Sequence, residues 1–223
     1  VLGHVLLHQT INGNEAILQM EQAGDYPDII VGCTGGGSNL AGLMFPFLGQ
    51  QLRGGQKIDI IGCEPLSCPS FTKGKYAYDH GDMARMTPLI KMHTLGSDFL
   101  PPANHSGGLR YHGMSYHLSH LYDLGLMRAK AYGQKDCFEA GVIFGKQEGI
   151  IPAPEGNHAV KGAIDAALEC KEKGESKTIL FNLCGHGHFD MTAYDDYFSG
   201  KLADDFYDEN SANQSLSKLP EIA

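Results

Sequence analysis

Residues 28–39, DIIVGCTGGGSN, combine an apolar run, three successive glycines and two small polar residues. The apolar run is typical of a buried strand, and glycines allow backbone N–H groups to approach a ligand closely. We expect Ser38 or Asn39 to cap the helix that follows. A strand, a glycine turn and a helix N-terminus predict a site for a phosphate or carboxylate, formed by Gly35, Gly36, Gly37, Ser38 and Asn39. Because the P-loop and dinucleotide glycine patterns are absent, a turn that binds nothing is the alternative.

Residues 184–190, CGHGHFD, follow the last apolar run and hold a thiol and two imidazoles. Cys184 is either a nucleophile or a small thiol at a strand end. His186 and His188 are either metal ligands or ordinary polar residues of a loop. The helical H-E-x-x-H arrangement of zinc enzymes is absent, so we assign no metal ligand.

Two charged side chains lie close to glycines. Glu148, in QEGIIPAPEGNHA, either lines a pocket or ends a helix without doing chemistry. Arg110, in GGLRYHG, either grips a carboxylate through two hydrogen bonds or is a surface charge beside a turn. The residues themselves leave both alternatives open.

The composition excludes several classes of function. A formal charge of −9 argues against a surface for nucleic acid or for an anionic membrane. No apolar run approaches the length of a membrane span. The 6 cysteines form neither a C-x-x-C pair nor a zinc-ribbon spacing, which indicates reduced thiols in a cytoplasmic protein.

Apolar periodicity predicts helices that alternate with strands. We expect strands at 28–33, 57–63, 127–132 and 178–183. We expect helices at 15–24, 39–52, 136–146 with Asp136 as N-cap, 157–173 and 192–198. Segment 66–110 is expected to hold short helices and site-facing loops. This order predicts an α/β fold with a parallel sheet flanked by helices, in which the glycine loop and the loop at 184–190 open at one sheet edge.

Five segments, in this order, resemble the C-terminal part of the tryptophan synthase β chain: HVLLHQTINGNEA, CTGGGSN, SGGLRYHGM, QEGIIPAPEGNHAV and LFNLCGHGHFD. The resemblance runs from about His4 to Asp190. GGLRYHG and GHGHFD are similar to the second, divergent class. The main class carries an aspartate where Arg110 stands and GRGDKD after its last strand.

The resemblance implies a two-domain pyridoxal 5'-phosphate enzyme of fold type II, with the cofactor between its domains. The glycine loop, residues 35–39, would hold the cofactor phosphate, and Glu148 would lie beside the cofactor ring. Cys184 would face the pyridine nitrogen, where the family usually has serine. Arg110 would reach the substrate region. A neutral thiol at the nitrogen suits β-replacement, because it leaves the nitrogen unprotonated.

The resemblance also implies a reaction and partners. The full enzyme would condense L-serine with indole to give L-tryptophan and water, as a homodimer. Association with an α chain and a bound monovalent cation stay open. A related lyase, such as a serine or threonine dehydratase or a cysteine-synthase-like enzyme, is one alternative, and a non-catalytic anion-binding module is another.

The family forms its Schiff base through a lysine in a Ser-His-Lys-x-Asn segment, and no lysine of this sequence follows a histidine. We therefore assign no catalytic residue to this chain and expect it to be inactive alone. It begins Val1-Leu2-Gly3, so we expect a fragment that lacks an N-terminal domain. Residues 1–200 are expected to form the C-terminal cofactor-binding domain, and residues 201–223 an acidic, mobile tail.

Overall fold

The computed structural model describes residues 2–204 and 206–221. Its strands are β1 Ile29–Cys33, β2 Asp59–Pro65, β3 Lys75–His80, β4 Leu89–Thr94, β5 Arg128–Tyr132 and β6 Ile179–Phe181. Its α-helices are α1 Leu2–Ala23, α2 Ser38–Leu52, α3 Tyr116–Asp123, α4 Gln134–Glu148, α5 Pro154–Lys173, α6 Met191–Phe198 and α7 Glu209–Leu216. Short 3-10 turns lie at Gly107–Leu109 and Gly187–Phe189.

Four parallel strands form the central sheet, in the order β5-β2-β1-β6. Ile30 and Ile60 point to the face covered by α1 and α2. Val31 and Ile61 point to the opposite face, where they pack with α5. Burial on both faces explains why these strands are continuously apolar. The predicted α/β fold, a parallel sheet flanked by helices, is confirmed.

Helices α1 and α2 cross in close contact. A Cβ atom on Gly42 would lie 2.5 Å from the backbone oxygen of Gln9, so only glycine allows this approach. The predicted start of α1 at position 15 is wrong, because the helix already begins at Leu2. Leu6 is buried against α2, and this tertiary packing extends the helix beyond the segment with clear periodicity.

Segment 66–110 differs from its prediction. It contains the antiparallel hairpin β3-β4, in which Lys75 pairs with Thr94 and His80 with Leu89. Only the last residues of β4 are continuously buried, so the hairpin lacks the clean apolar alternation that identifies strands. Asp136 does not cap α4 either: the N-cap is Gly133, and Asp136 lies in the first turn.

Segment 201–223, expected to be a mobile tail, contains helix α7. Ala212 of this helix is buried in a cluster with Leu95 and Phe99, and the Ser215 hydroxyl accepts a hydrogen bond from the N–H of Asp98 at 3.1 Å. Positions 205, 222 and 223 of this segment lie outside the described residues. None of the helices in the described part of the chain has the length and apolar character that crossing a membrane requires.

Candidate functional site

The glycine loop connects the end of β1 to the start of α2, as predicted. Gly37 is the N-cap of α2 and has a φ of 96°, in the left-handed region that favours glycine. The expected cap by Ser38 or Asn39 is wrong, since both residues are already inside the helix and no side chain of the described residues caps it. The first N–H groups of α2 therefore point out of the helix toward the loop.

The N–H groups of residues 35–39 donate to no protein acceptor within the described parts of the chain. Gly36, Ser38 and Asn39 are half-buried, so the loop is reachable from solvent. A Cβ atom on Gly36 would meet nothing closer than the Tyr111 ring at 3.8 Å, which leaves open space above the loop. Unpaired N–H groups at the positive end of a helix fit an anion with several oxygens, such as a phosphate.

The other two glycines of the loop are required for packing. A Cβ atom on Gly35 would lie 2.6 Å from the backbone oxygen of Gly108, in the neighbouring GGLRYHG segment. A Cβ atom on Gly37 would collide with the Leu118 side chain of α3. The loop is thus seated firmly on its surroundings, and only Gly36 faces open space.

The predicted convergence of the two strand-end loops is confirmed. Strand β6 lies beside β1 in parallel register, and the sulfur of Cys184 is 3.3 Å from the sulfur of Cys33. The Asn39 amide donates to the Cys33 sulfur at 3.2 Å. The Asn182 amide, at the end of β6, donates to the side-chain oxygen of Asn39 at 2.6 Å. These contacts link the loop at 184–190 to the glycine loop.

The two thiols affect each other's acidity. The hydrogen bond with the Cys33 thiol lowers the pKa of Cys184 below its ordinary value. The same bond, together with burial, raises the pKa of Cys33 well above its ordinary value. Cys184 is half-buried whereas Cys33 is fully buried. The pair therefore concentrates thiolate character on the more accessible sulfur.

Two further residues, Asn182 and Glu155, help to position the loops of the site. Asn182 orients Asn39, as described above. Glu155, in the first turn of α5, accepts a hydrogen bond from the N–H of Gly108 at 2.9 Å and so ties the GGLRYHG segment to this helix. A polar residue at the end of an apolar strand was the only sequence signal for Asn182. Nothing in the sequence distinguished Glu155 from an ordinary first-turn acid.

Glu148 and Arg110 are not gathered with the glycine loop and Cys184 by any contact in the described residues. Glu148 is the last residue of α4 and its side chain is exposed. Arg110 is exposed, and its guanidinium donates to the backbone oxygen of Pro101 at 2.5 Å. The cofactor-ring role of Glu148 and the substrate role of Arg110 stay predictions.

The histidines of the last loop contact each other rather than a cluster of acids. The rings of His186 and His188 are 4.6 Å apart. Across residues 2–204 and 206–221, no three His, Cys, Asp or Glu side chains are grouped so that they could hold a metal ion. The His188 N–H also donates to the Nδ1 atom of His186 at 3.3 Å.

A cavity of about 620 Å³ lies beside the glycine loop. Gly36 and Ser38 form part of its wall, and the rest is largely apolar, with Ile90, Met92 and Met114 among its residues. An apolar cavity next to a group of N–H donors suits a ligand that carries both a phosphate and an apolar part.

Known proteins resemble this chain in sequence and in fold. The sequence model of the family described as "Pyridoxal-phosphate dependent enzyme" matches residues 7–185. Tryptophan synthase beta chain 2 of Methanosarcina mazei is 57% identical over 202 residues, which are 91% of this chain and 46% of that protein. Its counterpart from Aquifex aeolicus is 58% identical over 207 residues, 92% of this chain and 48% of that protein.

Tryptophan synthase beta chain of Pyrococcus horikoshii is 50% identical over 220 residues, 99% of this chain and 47% of that protein. The chain thus spans about half the length of the curated relatives it matches. Among solved structures, a fungal L-serine ammonia-lyase from Rhizomucor miehei shares the fold, with a TM-score of 0.58 at 16% identity over 86% of this chain and 56% of that chain. The resemblance found in the five sequence segments is confirmed.

Proposed function

The chain belongs to the family of pyridoxal-phosphate-dependent enzymes, and from this premise we propose that it is the part of a tryptophan synthase β-type enzyme that holds the cofactor phosphate. One observation carries the proposal: the N–H groups of residues 35–39 are unpaired within the described chain and lie at the N-terminus of α2. A phosphate placed there would accept several of these hydrogen bonds and lie in the favourable field of the helix.

The residues fit this cofactor in three further respects. Gly36 leaves space for a phosphate oxygen, because a side chain is absent where the loop faces the cavity. Asn39 is held in place by Asn182. Cys184, next to the buried Cys33, supplies a sulfur at the edge where we place the pyridine nitrogen. Glu148 is proposed to lie beside the ring and Arg110 near the substrate, as the sequence resemblance implies.

The cofactor, when bound, stabilises negative charge on the α-carbon of an amino-acid substrate. This chain supplies binding and orientation: N–H donors for the phosphate, on a loop in which Gly35 packs closely against the segment that Glu155 ties to α5. The proposed substrates of the whole enzyme are L-serine and indole, and the proposed product is L-tryptophan. The relatives named tryptophan synthase beta chain support this choice of substrates.

We also propose that the chain is inactive by itself. Supporting this, no lysine in the sequence follows a histidine, as the Schiff-base lysine of the resembling family does. A phosphate site binds the cofactor but provides no amine positioned to act on the substrate. Activity would then require a segment equivalent to the part of the relatives that this chain does not match.

Complementation tests the proposal. The chain would be mixed with the separately expressed part of the Aquifex aeolicus relative that it does not match. We expect tryptophan from L-serine and indole only in the mixture, with pyridoxal phosphate present. Threonine and O-phosphoserine, each offered with indole, serve as competing substrates. Turnover of threonine or O-phosphoserine without turnover of serine would identify a related lyase instead. Tryptophan formation by the chain alone would overturn its proposed inactivity.

A further inference from the structure

The thiols of Cys33 and Cys184 form a pair that the proposed function does not use as a pair. Their sulfurs are 3.3 Å apart, although the residues are 151 positions apart in the chain. Among the cysteines of the described chain, no other two sulfurs lie within hydrogen-bonding distance. The contact exists because β1 and β6 are neighbours, Cys33 ends β1, and Cys184 lies in the loop that follows β6.

The surroundings allow the two sulfurs to come closer. A disulfide has an S–S distance of about 2.05 Å, so closure needs a movement of about 1.3 Å. Cys184 lies in a loop and is followed by Gly185, which has a φ of 75°. Cys33 is the last residue of β1 and is held from one side by the Asn39 amide at 3.2 Å. Movement of Cys184 toward a fixed Cys33 is therefore the expected route.

The two thiols also differ in the way that a reactive pair requires. Cys184 is half-buried, and its hydrogen bond with Cys33 lowers its pKa, so it is the more accessible and the more acidic sulfur of the two. Cys33 is buried and lies within reach as the second thiol. Burial also raises the pKa of Cys63 and of Cys68 to about 12, but among the described residues neither thiol has a second sulfur within hydrogen-bonding distance.

We propose that Cys33 and Cys184 are a redox modification site, which closes to a reversible disulfide beside the glycine loop. With hydrogen peroxide as the oxidant, the Cys184 thiolate attacks one peroxide oxygen, the O–O bond breaks, and protonation of the departing hydroxide gives water and Cys184 sulfenic acid. The Cys33 sulfur then attacks the Cys184 sulfur, the S–O bond breaks, and the departing hydroxide takes the Cys33 proton and leaves as a second water. Two electrons pass from the thiols to the peroxide, and a dithiol reductant returns them.

Closure would reach the glycine loop through Asn39. The Asn39 amide donates to the Cys33 sulfur, and Asn39 also belongs to the residues proposed to hold the cofactor phosphate. Oxidation removes the hydrogen bond between the two thiols and draws the Cys184 loop inward. We expect the oxidised chain to bind pyridoxal phosphate more weakly, by about fivefold. This effect rests on the proposed function, whereas formation of the disulfide depends only on the thiols.

The test oxidises the full chain with hydrogen peroxide, blocks the remaining thiols, and maps tryptic peptides without reduction. Trypsin releases residues 1–53 and residues 178–201, and each of these peptides holds one cysteine of the pair and no other. We expect one linked peptide that has lost two hydrogen atoms and that separates on treatment with dithiothreitol. The Cys170→Ser variant, altered at a distant buried thiol, should form the same link as a matched control.

Cys184→Ser and Cys33→Ala should each abolish the linked peptide, and circular dichroism confirms that at least one of the two variants is folded. Free thiols on both peptides after oxidation, or oxidation of Cys184 to sulfinic acid without a link, would overturn the modification site. A parallel titration with pyridoxal phosphate compares reduced and oxidised chains. An unchanged affinity despite a mapped disulfide would overturn the coupling to the glycine loop. Absence of binding to the reduced chain would instead count against the proposed function, and the peptide map would still decide on the disulfide.

Discussion

Three adjacent glycines have different physical reasons to be glycine. Gly35 allows the backbone of Gly108 to approach, and Gly37 has a left-handed backbone and faces Leu118. Gly36 has neither constraint, since a Cβ atom there would touch only the Tyr111 ring at ordinary distance. Its lack of a side chain is explained best by the ligand that the loop is proposed to hold. The three positions should therefore respond differently to substitution.

Gly36→Val should weaken pyridoxal-phosphate binding by about tenfold or more, equivalent to about 1.4 kcal/mol, because the new side chain occupies space proposed for the phosphate. Its free energy of unfolding should change by less than about 1 kcal/mol, since the site is open. Fluorescence titration and urea denaturation measure the two quantities. Gly107→Ala, in open space on the neighbouring segment, is the matched control and should alter neither. A strongly destabilised Gly36→Val with intact affinity would show that the position serves packing.

The hydrogen bond between the Gly108 N–H and Glu155 can be tested by two substitutions. Glu155→Ala removes the acceptor for the Gly108 N–H and should lower the free energy of unfolding by about 1 kcal/mol. Glu155→Gln keeps an acceptor oxygen and should remain close to the unsubstituted chain. Thermal denaturation compares the two variants. Equal losses in both would mean that the negative charge, and not the hydrogen bond, matters at this position.

At the scale of elements, the sequence predicted the parallel strands because β1, β2 and β6 are apolar and follow glycine or polar turns. The hairpin β3-β4 was missed because its residues mix charged, aromatic and half-buried positions, and its pairing partners are set by tertiary contacts. The cap of α2 was assigned to Ser38 or Asn39 on side-chain preference, whereas Gly37 provides it through backbone conformation. The approach of Cys33 to Cys184 follows from strand order, which local patterns do not encode.

A buried acid at the end of β2 predicts one pH dependence. Burial raises the pKa of Glu64 from 4.5 to about 7, although Phe71 and Thr72 donate hydrogen bonds to it. The folded chain keeps this proton after the unfolded chain releases it, so the stability that Glu64 contributes is present below pH 4.5 and is lost as pH rises toward 7. The loss amounts to about 3 kcal/mol. Urea denaturation between pH 4.5 and 7 should show this loss in the free energy of unfolding. Glu64→Gln should not show it. The same dependence on pH in Glu64→Gln and the unsubstituted chain would refute this prediction.

A buried histidine in α5 predicts the opposite dependence. Burial lowers the pKa of His158 from 6.5 to about 4, and its Nε2 atom has no partner within the described residues. The unfolded chain binds a proton first, so the stability that His158 contributes is present above pH 6.5 and is lost as pH falls toward 4. Between pH 4.5 and 6.5, Glu64 and His158 change the free energy of unfolding in opposite directions. The dependence of stability on pH is therefore compared between His158→Gln and the unsubstituted chain. As pH falls, we expect the unsubstituted chain to lose stability relative to His158→Gln. A gain in the stability of the unsubstituted chain relative to His158→Gln as pH falls would contradict this prediction.

The glycine loop, which we propose binds the cofactor phosphate, lies on a four-stranded parallel sheet, and the chain spans about half the length of the curated relatives it matches. Much of the candidate site was predictable, because the glycine loop and the loop at 184–190 each follow an apolar strand. Glu148 and Arg110 were assigned by resemblance, and their side chains are exposed here. Glu148 is proposed to contact the cofactor ring and Arg110 the substrate, so contacts within the chain do not test either role.

Borohydride reduction tests the proposed absence of a Schiff-base lysine. We expect pyridoxal phosphate to leave no single stoichiometrically labelled lysine after reduction and peptide mapping of the chain, because no lysine of the sequence follows a histidine. Any labelling should be spread over exposed lysines at low yield. One pyridoxyl-lysine in equimolar amount would show that the reacting amine lies within this chain.

Residues 35–39 are proposed to hold the cofactor by its phosphate. The most direct measurement compares the dissociation constants of pyridoxal phosphate and of pyridoxal, which lacks the phosphate, for the unsubstituted chain and for Gly36→Val. We expect the phosphate to improve affinity by about tenfold or more in the unsubstituted chain, as several hydrogen bonds of about 1 kcal/mol each would allow. In Gly36→Val most of this advantage should be lost. Equal affinities for the two compounds in the unsubstituted chain, or an advantage that Gly36→Val leaves intact, would contradict a phosphate-binding role for this loop.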